Sequence, residues 1–283
     1  MDNNDTLPRL NTTAAQNETI SERYMSIAQE GDVDKFHALV AADKNVPDAL
    51  DGFDRGLYDT PMHAAAQCGH TYLALEIMNI KPSFARKLNA SGFSPMHLAL
   101  QNNHSHTVRA LVTEDRGLVG IRGRGMITPL HHVAMTGNED LLDEFLVACP
   151  SAIERRTSKR ETAVHIAVKH AKLGAFKILV GWLKRVNREE VLNWKDEDGN
   201  TILHIATSTN QTEVVKLIYK VVNVNAKNLE GRTAKDIFIS NEASLAPEIG
   251  RLLVAARAKE GHEVTGSESE TTWANYLRRL LHF

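Results

Sequence analysis

The chain has 283 residues, 42% of them hydrophobic, and 33 Lys+Arg balance 35 Asp+Glu to a formal net charge of -2. This is the composition of a soluble globular protein with room for one large domain or two small ones. The near-neutral balance lacks the basic excess of a nucleic-acid-binding domain, and the two cysteines, Cys68 and Cys149, are too few for a disulfide framework or a four-cysteine zinc site.

The first twenty residues, MDNNDTLPRLNTTAAQNETI, have neither a basic n-region nor an apolar h-region. They read as a disordered tail, not a secretory signal. No apolar stretch approaches the ~20 residues that span a bilayer. Asp2 excludes N-myristoylation, and Leu280-Leu281-His282-Phe283 is no prenylation box. A reducing, cytoplasmic setting is expected.

From residue 21 the chain repeats itself. Five segments align: Thr60-Pro61-Met62-His63-Ala64-Ala65, Ser94-Pro95-Met96-His97-Leu98-Ala99, Thr128-Pro129-Leu130-His131-His132-Val133, Thr162-Ala163-Val164-His165-Ile166-Ala167 and Thr201-Ile202-Leu203-His204-Ile205-Ala206. Thr233-Ala234-Lys235-Asp236-Ile237 is a decayed sixth copy. Each reads as a helix start. Thr or Ser is a good N-cap, Pro at the first helical position loses nothing, and His three residues on reaches back as the Glu of a capping box does. Six residues after each His stand Gly69, Asn103, Gly137, Ala171 and Asn210. Gly and Asn suit a left-handed helix stop, and Ala171 departs from that rule. Apolar pairs then recur at helical spacing, as in Leu73/Ala74 with Ile77/Met78 and Leu141/Leu142 with Phe145/Leu146, which predicts a second helix per unit. Gly31 to Val40 has the same glycine and stripe without the Thr-Pro start, so residues 21–57 read as an N-terminal capping repeat.

This Thr-Pro-Leu-His-x-Ala pattern at a period near 33 resembles the ankyrin repeat. Met78 to Asn89 followed by Gly92-Phe93-Ser94-Pro95-Met96-His97-Leu98-Ala99, the longer fourth repeat, and Asn193-Trp194-Lys195-Asp196-Glu197-Asp198-Gly199-Asn200-Thr201 are similar to plant ankyrin proteins of the Bian Da type. The resemblance implies a mainly α ankyrin solenoid of about six to seven helix–turn–helix units, starting near residues 21, 58, 92, 126, 160, 199 and 231. It also implies a place in innate immune signalling. That family carries a multi-span membrane domain of the PGG type after its repeats, which is not expected in this chain because the sequence stops at Phe283.

If the Thr, Pro, Leu and His positions serve folding, the variable positions beside them face the concave surface and are free to bind. These are Tyr58, Gln67, Phe93, Gln101, Asn102, Ile127, His132, Met135, Lys169, His170, Ser208 and Thr209, with Ala64, Cys68 and Thr136 beside them. Tyr58, Phe93, Ile127 and Met135 are apolar or aromatic where solvent is expected, so they are contact-anchor candidates. The alternative is that each packs on the next hairpin loop.

Other motifs carry competing readings. The thirteen histidines invite a metal, but equivalent positions on neighbouring helices lie about 10 Å apart, one helix diameter, too far to share a zinc. Gly117 to Gly125 matches no nucleotide loop and falls where a hairpin loop belongs, although its arginines could meet an acidic partner. Glu154-Arg155-Arg156-Thr157-Ser158-Lys159-Arg160 reads as a solvated hairpin, a kinase site or a nuclear address. Ala175 to Val186 resembles a basic amphipathic calmodulin target, but its apolar residues coincide with an outer-helix stripe.

Residues 242–259 read as a C-terminal capping helix and 260–271 as a linker. In 272–283, Trp273, Tyr276, Leu277, Leu280 and Leu281 fall on one helical face with Arg278 and Arg279 opposite. This juxtamembrane-like helix can lie on a membrane surface or dock on a partner. The expected function is a non-enzymatic protein–protein scaffold in plant immune or stress signalling. It would bind another protein through its concave face and hairpin tips, in the cytoplasm or peripherally at the plasma membrane. No cofactor, metal, nucleic acid or small-molecule substrate is expected. The alternative is the soluble cytoplasmic portion of a membrane signalling or transport component, anchored through residues after the repeats.

Overall fold

The computed structural model describes residues 19–42, 53, 58–241 and 246–264. Among the described residues there are fourteen α-helices and no strand, and no helix is long and apolar enough to cross a membrane. The segment 272–283 lies outside the described residues. The chain divides into two compact units, Met1–Glu114 and Asp115–Phe283.

In the first unit the helices are α1 (Ile20–Glu30), α2 (Val33–Ala42), α3 (Pro61–Cys68), α4 (Thr71–Ile80), α5 (Pro95–Gln101) and α6 (Ser105–Glu114). They pair as antiparallel hairpins, α1 with α2, α3 with α4 and α5 with α6. The inner helices α1, α3 and α5 stack in a row, and α4 stacks on α6. The inner helices are short and dense in small residues. Ala65, Ala66 and Ala99 are fully buried, which lets neighbouring helices approach closely. Met62, Leu73, Ile77, Phe84, Met96 and Leu111 fill the layer between inner and outer rows. At the N-terminal end Tyr24 and Phe36 close the core edge-to-face, with ring centroids 5.7 Å apart.

Gly69 ends α3 at φ 79°, and a Cβ there would lie 2.6 Å from Nδ1 of His104. The His104 ring crosses that bare backbone, and its Nε2–H donates to Gln67 O at 2.9 Å. His70 does the same over Gly31, reaching Gln29 O at 2.9 Å. These two glycines therefore supply both a left-handed turn and room for the next repeat.

In the second unit the helices are α7 (Pro129–Thr136), α8 (Glu139–Ala148), α9 (Ala163–Lys169), α10 (Leu173–Arg185), α11 (Ile202–Ser208), α12 (Thr212–Ile218), α13 (Ala234–Ser240) and α14 (Pro247–Ala255). Inner helices α7, α9, α11 and α13 stack in one row, and outer helices α8, α10, α12 and α14 in another. On α10, Ala175, Phe176, Leu179, Val180 and Leu183 are all buried, so the calmodulin-target pattern is core. The glycine-rich stretch folds as two 3-10 turns, Arg116–Gly120 and Arg124–Met126, with Leu118 and Val119 buried. Ala171 takes the left-handed turn that the sequence left in doubt, at φ 53°.

Hairpin loops join successive repeats, and in this unit their tips are fastened by single backbone bonds. Ser158 N–H donates to Gly125 O at 2.8 Å, Glu197 N–H to Lys159 O at 2.9 Å, and Leu229 N–H to Asp198 O at 3.0 Å. Residues 260–264, within the stretch read as a linker, pack back on the last repeat. Gly261 is buried and its N–H donates to Asp236 Oδ2 at 2.8 Å.

Candidate protein-binding surface

The same device opens five inner helices. The cap hydroxyl of Thr60, Ser94, Thr128, Thr162 and Thr201 lies 2.8 Å from Nδ1 of His63, His97, His131, His165 and His204 respectively. The backbone N–H of each cap residue also donates to that Nδ1, at 3.1 to 3.3 Å. A backbone N–H can only donate, so Nδ1 is an unprotonated acceptor and the ring proton sits on Nε2. In three of the five that proton goes to the next repeat: His63 Nε2 to Phe93 O at 3.0 Å, His165 to Trp194 O and His204 to Arg232 O, both at 3.1 Å, whereas the buried His131 Nε2 has no hydrogen-bond partner among the described residues.

Burial lowers the pKa of four of these imidazoles. It lowers the pKa of His63 and His204, against the raising influence of the Phe93 and Arg232 carbonyls. It takes His131 and His165 down to about 4. All five histidines of the motif are thus framework, each spent on its own helix start.

The last copy inverts the polarity. Asp236 stands where His stands elsewhere, and its Oδ2 accepts from Thr233 N–H at 2.7 Å, Thr233 hydroxyl at 3.0 Å and Gly261 N–H at 2.8 Å. Burial pushes its pKa up, but the Thr233 and Gly261 donors outweigh that and hold it low. The repeat therefore grips a following N–H where the others grip a carbonyl.

The framework leaves the C-terminal ends of the inner helices, and Tyr58 ahead of the α3 cap, to solvent. In the first unit Tyr58 is 69% exposed, and Gln67, Cys68, Gln101 and Asn102 are also exposed. The side chains of Gln67 and Gln101 make no hydrogen bond among the described residues, whereas Asn102 Nδ2 donates to Leu98 O at 2.9 Å and is tied to its helix end. Phe93 is half-buried with its ring tilted against His97, centroids 6.2 Å apart. Ala64 is buried.

In the second unit Ile127 is 36% exposed, His132 and Met135 are half-buried, and Thr136, Lys169, His170, Ser208 and Thr209 are exposed. Several polar groups there are already engaged. Thr209 Oγ1 donates to Ile205 O at 2.7 Å and accepts from Gln211 Nε2 at 2.7 Å, and Ser208 Oγ donates to Ile205 O at 3.0 Å. His170 carries no side-chain hydrogen bond among the described residues.

Lys169 has a structural partner set that sequence reasoning missed. Its Nζ reaches Glu161 Oε1 at 2.5 Å and Asp196 Oδ2 at 3.4 Å, and both carboxylates are buried. Burial works against the lysine charge, and the two carboxylates outweigh it, so its pKa is raised. Thr157 and the loop N–H groups of Asp198 and Asn200 supply further hydrogen bonds to the same two acids. The signal was one acid in each of two successive hairpins, Glu161 and Asp196. Only the stacking of the hairpins brings them to one lysine.

Comparison with known proteins agrees with this geometry. A model of ankyrin repeats matches residues 24–120 and 130–228. The chain is 36% identical over 272 residues to the ankyrin repeat-containing protein BDA1 of Arabidopsis thaliana, covering 93% of this chain and 62% of that protein. It is 25% identical to mouse Rabankyrin-5 over 179 residues, 62% of this chain and 15% of that protein. The chain therefore spans less than two thirds of these relatives. Among solved structures, the ankyrin repeat domain of Bcl-3 superposes with a TM-score of 0.62 at 23% identity, covering 73% of this chain and 92% of that one. An ankyrin repeat domain of Acinetobacter baumannii superposes with a TM-score of 0.61 at 21% identity, covering 70% and 98%. These likenesses, together with the Thr–His helix starts, mean that the chain belongs to the ankyrin repeat family and is similar over most of its length to the plant protein BDA1.

Proposed function

We propose that the protein is a non-enzymatic scaffold that binds another protein through the exposed ends of its inner helices and its hairpin tips, in plant immune or stress signalling. Ankyrin repeats are a protein-interaction fold. The observation that carries the finer reading is the division of labour within each repeat. Thr, His and the apolar stripe are consumed by folding, while the adjoining positions Tyr58, Gln67 and Gln101 are exposed without a framework role. An aromatic side chain on a rigid helical platform offers a large contact area with little side-chain freedom to lose, and the amides offer hydrogen bonds to a partner. The signalling context rests on the likeness to BDA1.

A second reading is favoured by that relative's greater length, of which the chain spans 62%. The repeats then serve as the cytoplasmic portion of a membrane component, and the Trp273–Leu281 stripe lies at the membrane surface. Proximity labelling in plant cells separates the two, using the full chain and a version truncated after Glu270. The scaffold reading expects both forms to label the same proteins. Labelling of membrane proteins by the full chain alone supports the second reading and overturns the first.

A further inference from the structure

We propose that Ser158, at the tip of the hairpin before α9, is the acceptor for a basophilic serine/threonine protein kinase, and that the adjacent Thr157 is not. The sequence alone leaves the two hydroxyls equivalent, since both follow Arg155-Arg156 and precede Lys159-Arg160. The fold separates them. Thr157 is buried at 6% exposure. Its Oγ1 donates to Glu161 Oε2 at 3.3 Å and accepts the N–H groups of Lys159 and Glu161, both at 3.2 Å. Reaching it would require taking the hairpin apart. Ser158 is exposed at the turn, and its hydroxyl has no hydrogen-bond partner among the described residues.

The surroundings supply the charge that such a kinase reads. Arg155 and Arg156 stand three and two residues before Ser158, with Lys159 and Arg160 after it. The neighbouring hairpin contributes more: Ser158 N–H is bonded to Gly125 O, which sets Arg124 beside the same tip. One acid, Glu197, lies 3.9 Å from Lys159 Nζ at the tip, and the other nearby acids are engaged elsewhere. Glu161 is held by Lys169 and Glu154 by Arg188. Arg156 lies over the Trp194 ring at 4.0 Å, and partial burial, followed by repulsion from Arg160, works against its charge. Arg155, Arg156 and Arg160 have no carboxylate partner among the described residues, and a phosphate placed there gains charge-assisted hydrogen bonds from guanidinium groups. Two backbone bonds hold the tip to the flanking hairpins, Ser158 N–H to Gly125 O and Glu197 N–H to Lys159 O, and a kinase must release both to draw Ser158 out while Thr157 keeps its bonds to Glu161.

In the reaction the Ser158 hydroxyl oxygen attacks the γ-phosphorus of ATP. A new O–P bond forms as the bond to the β-phosphate oxygen breaks, ADP leaves, and the hydroxyl proton passes to the kinase's base. The product adds a dianion to a tip that is otherwise cationic.

The test uses the folded full chain, ATP and the catalytic subunit of cAMP-dependent protein kinase, with the modified residue mapped by peptide mass spectrometry. Ser158→Ala and a synthetic peptide of residues 152–163 are run alongside, and thermal melting checks that the variant is folded. The expected result is phosphate on Ser158 of the folded chain, lost from this segment in Ser158→Ala. Phosphate on Thr157 of the folded wild type overturns the proposal. So does a folded chain that stays unmodified in this segment, whether or not the free peptide is modified.

Discussion

His165 joins two repeats with one ring: Nδ1 accepts the Thr162 N–H at 3.3 Å and Nε2–H donates to the Trp194 carbonyl at 3.1 Å. The same side chain starts a helix and holds the next hairpin, and only the neutral ring does both. Protonation at Nδ1 would set a donor against the Thr162 N–H.

That relationship has a pH consequence. His131 and His165 are lowered from the ordinary 6.5 to about 4 in the folded chain, first by burial. Between those values the unfolded chain binds more protons than the folded one, so stability rises with pH. The contribution is complete above about pH 6.5 and is lost as the pH falls toward 4, amounting to at most about 3 kcal/mol per histidine. Melting temperatures at pH 7.5, 5.5 and 4.5 should fall in that order. The step should shrink in His165→Gln, whose side chain does not titrate. A melting temperature flat across this range would contradict the assignment.

Ala171 sits at φ 53°, where a Cβ is strained. Ala171→Gly should stabilise the protein by about 1 kcal/mol. Gly69→Ala should do the reverse by about 2 kcal/mol or more, because its Cβ meets both the left-handed penalty and the His104 ring. Denaturant unfolding of the two variants checks the opposite signs.

Asp236 provides a test in which restoring the repeat does harm. Asp236→His rebuilds the motif, but its Nε2–H would face the Gly261 N–H that Asp236 Oδ2 now accepts at 2.8 Å. A loss of about 2 kcal/mol is expected, from two buried donors left facing each other. Hydrogen exchange should accelerate across α13 and residues 258–264. Unchanged protection there would mean that the inverted contact is not holding the segment.

Lys169→Met should cost about 2 kcal/mol or more, since it leaves Glu161 and Asp196 buried without their cation. Urea unfolding at pH 7 measures the loss.

The helix starts were legible because each depends on residues three apart: Thr60 and His63, or Thr162 and His165, carry their own hydrogen bonds wherever they sit. The outer stripes were legible for the same local reason, and so was the core role of Phe176 and Leu179. What the sequence withheld lies between repeats. His104 over Gly69, Lys169 on Asp196, and Asp236 on Gly261 join residues 25 to 35 apart, and no local pattern states which loop faces which side chain. Lys169 is the clearest instance. It occupies a surface position in the repeat, yet two buried carboxylates engage it. Ala171 shows the converse, since the stacked helices impose a turn that its own preference opposes.

The most direct measurement of the scaffold account compares two charge-altered faces in the same proximity-labelling assay. One variant combines Tyr58→Ala, Gln67→Arg and Gln101→Arg at the inner-helix ends. The other carries Tyr72→Arg on α4, where Tyr72 is 77% exposed. Both substitute surface positions and should melt within a few degrees of the parent. The account predicts that the first variant loses the labelled partners and the second keeps them. Identical partner sets for parent and first variant, with the loss confined to Tyr72→Arg, would contradict it.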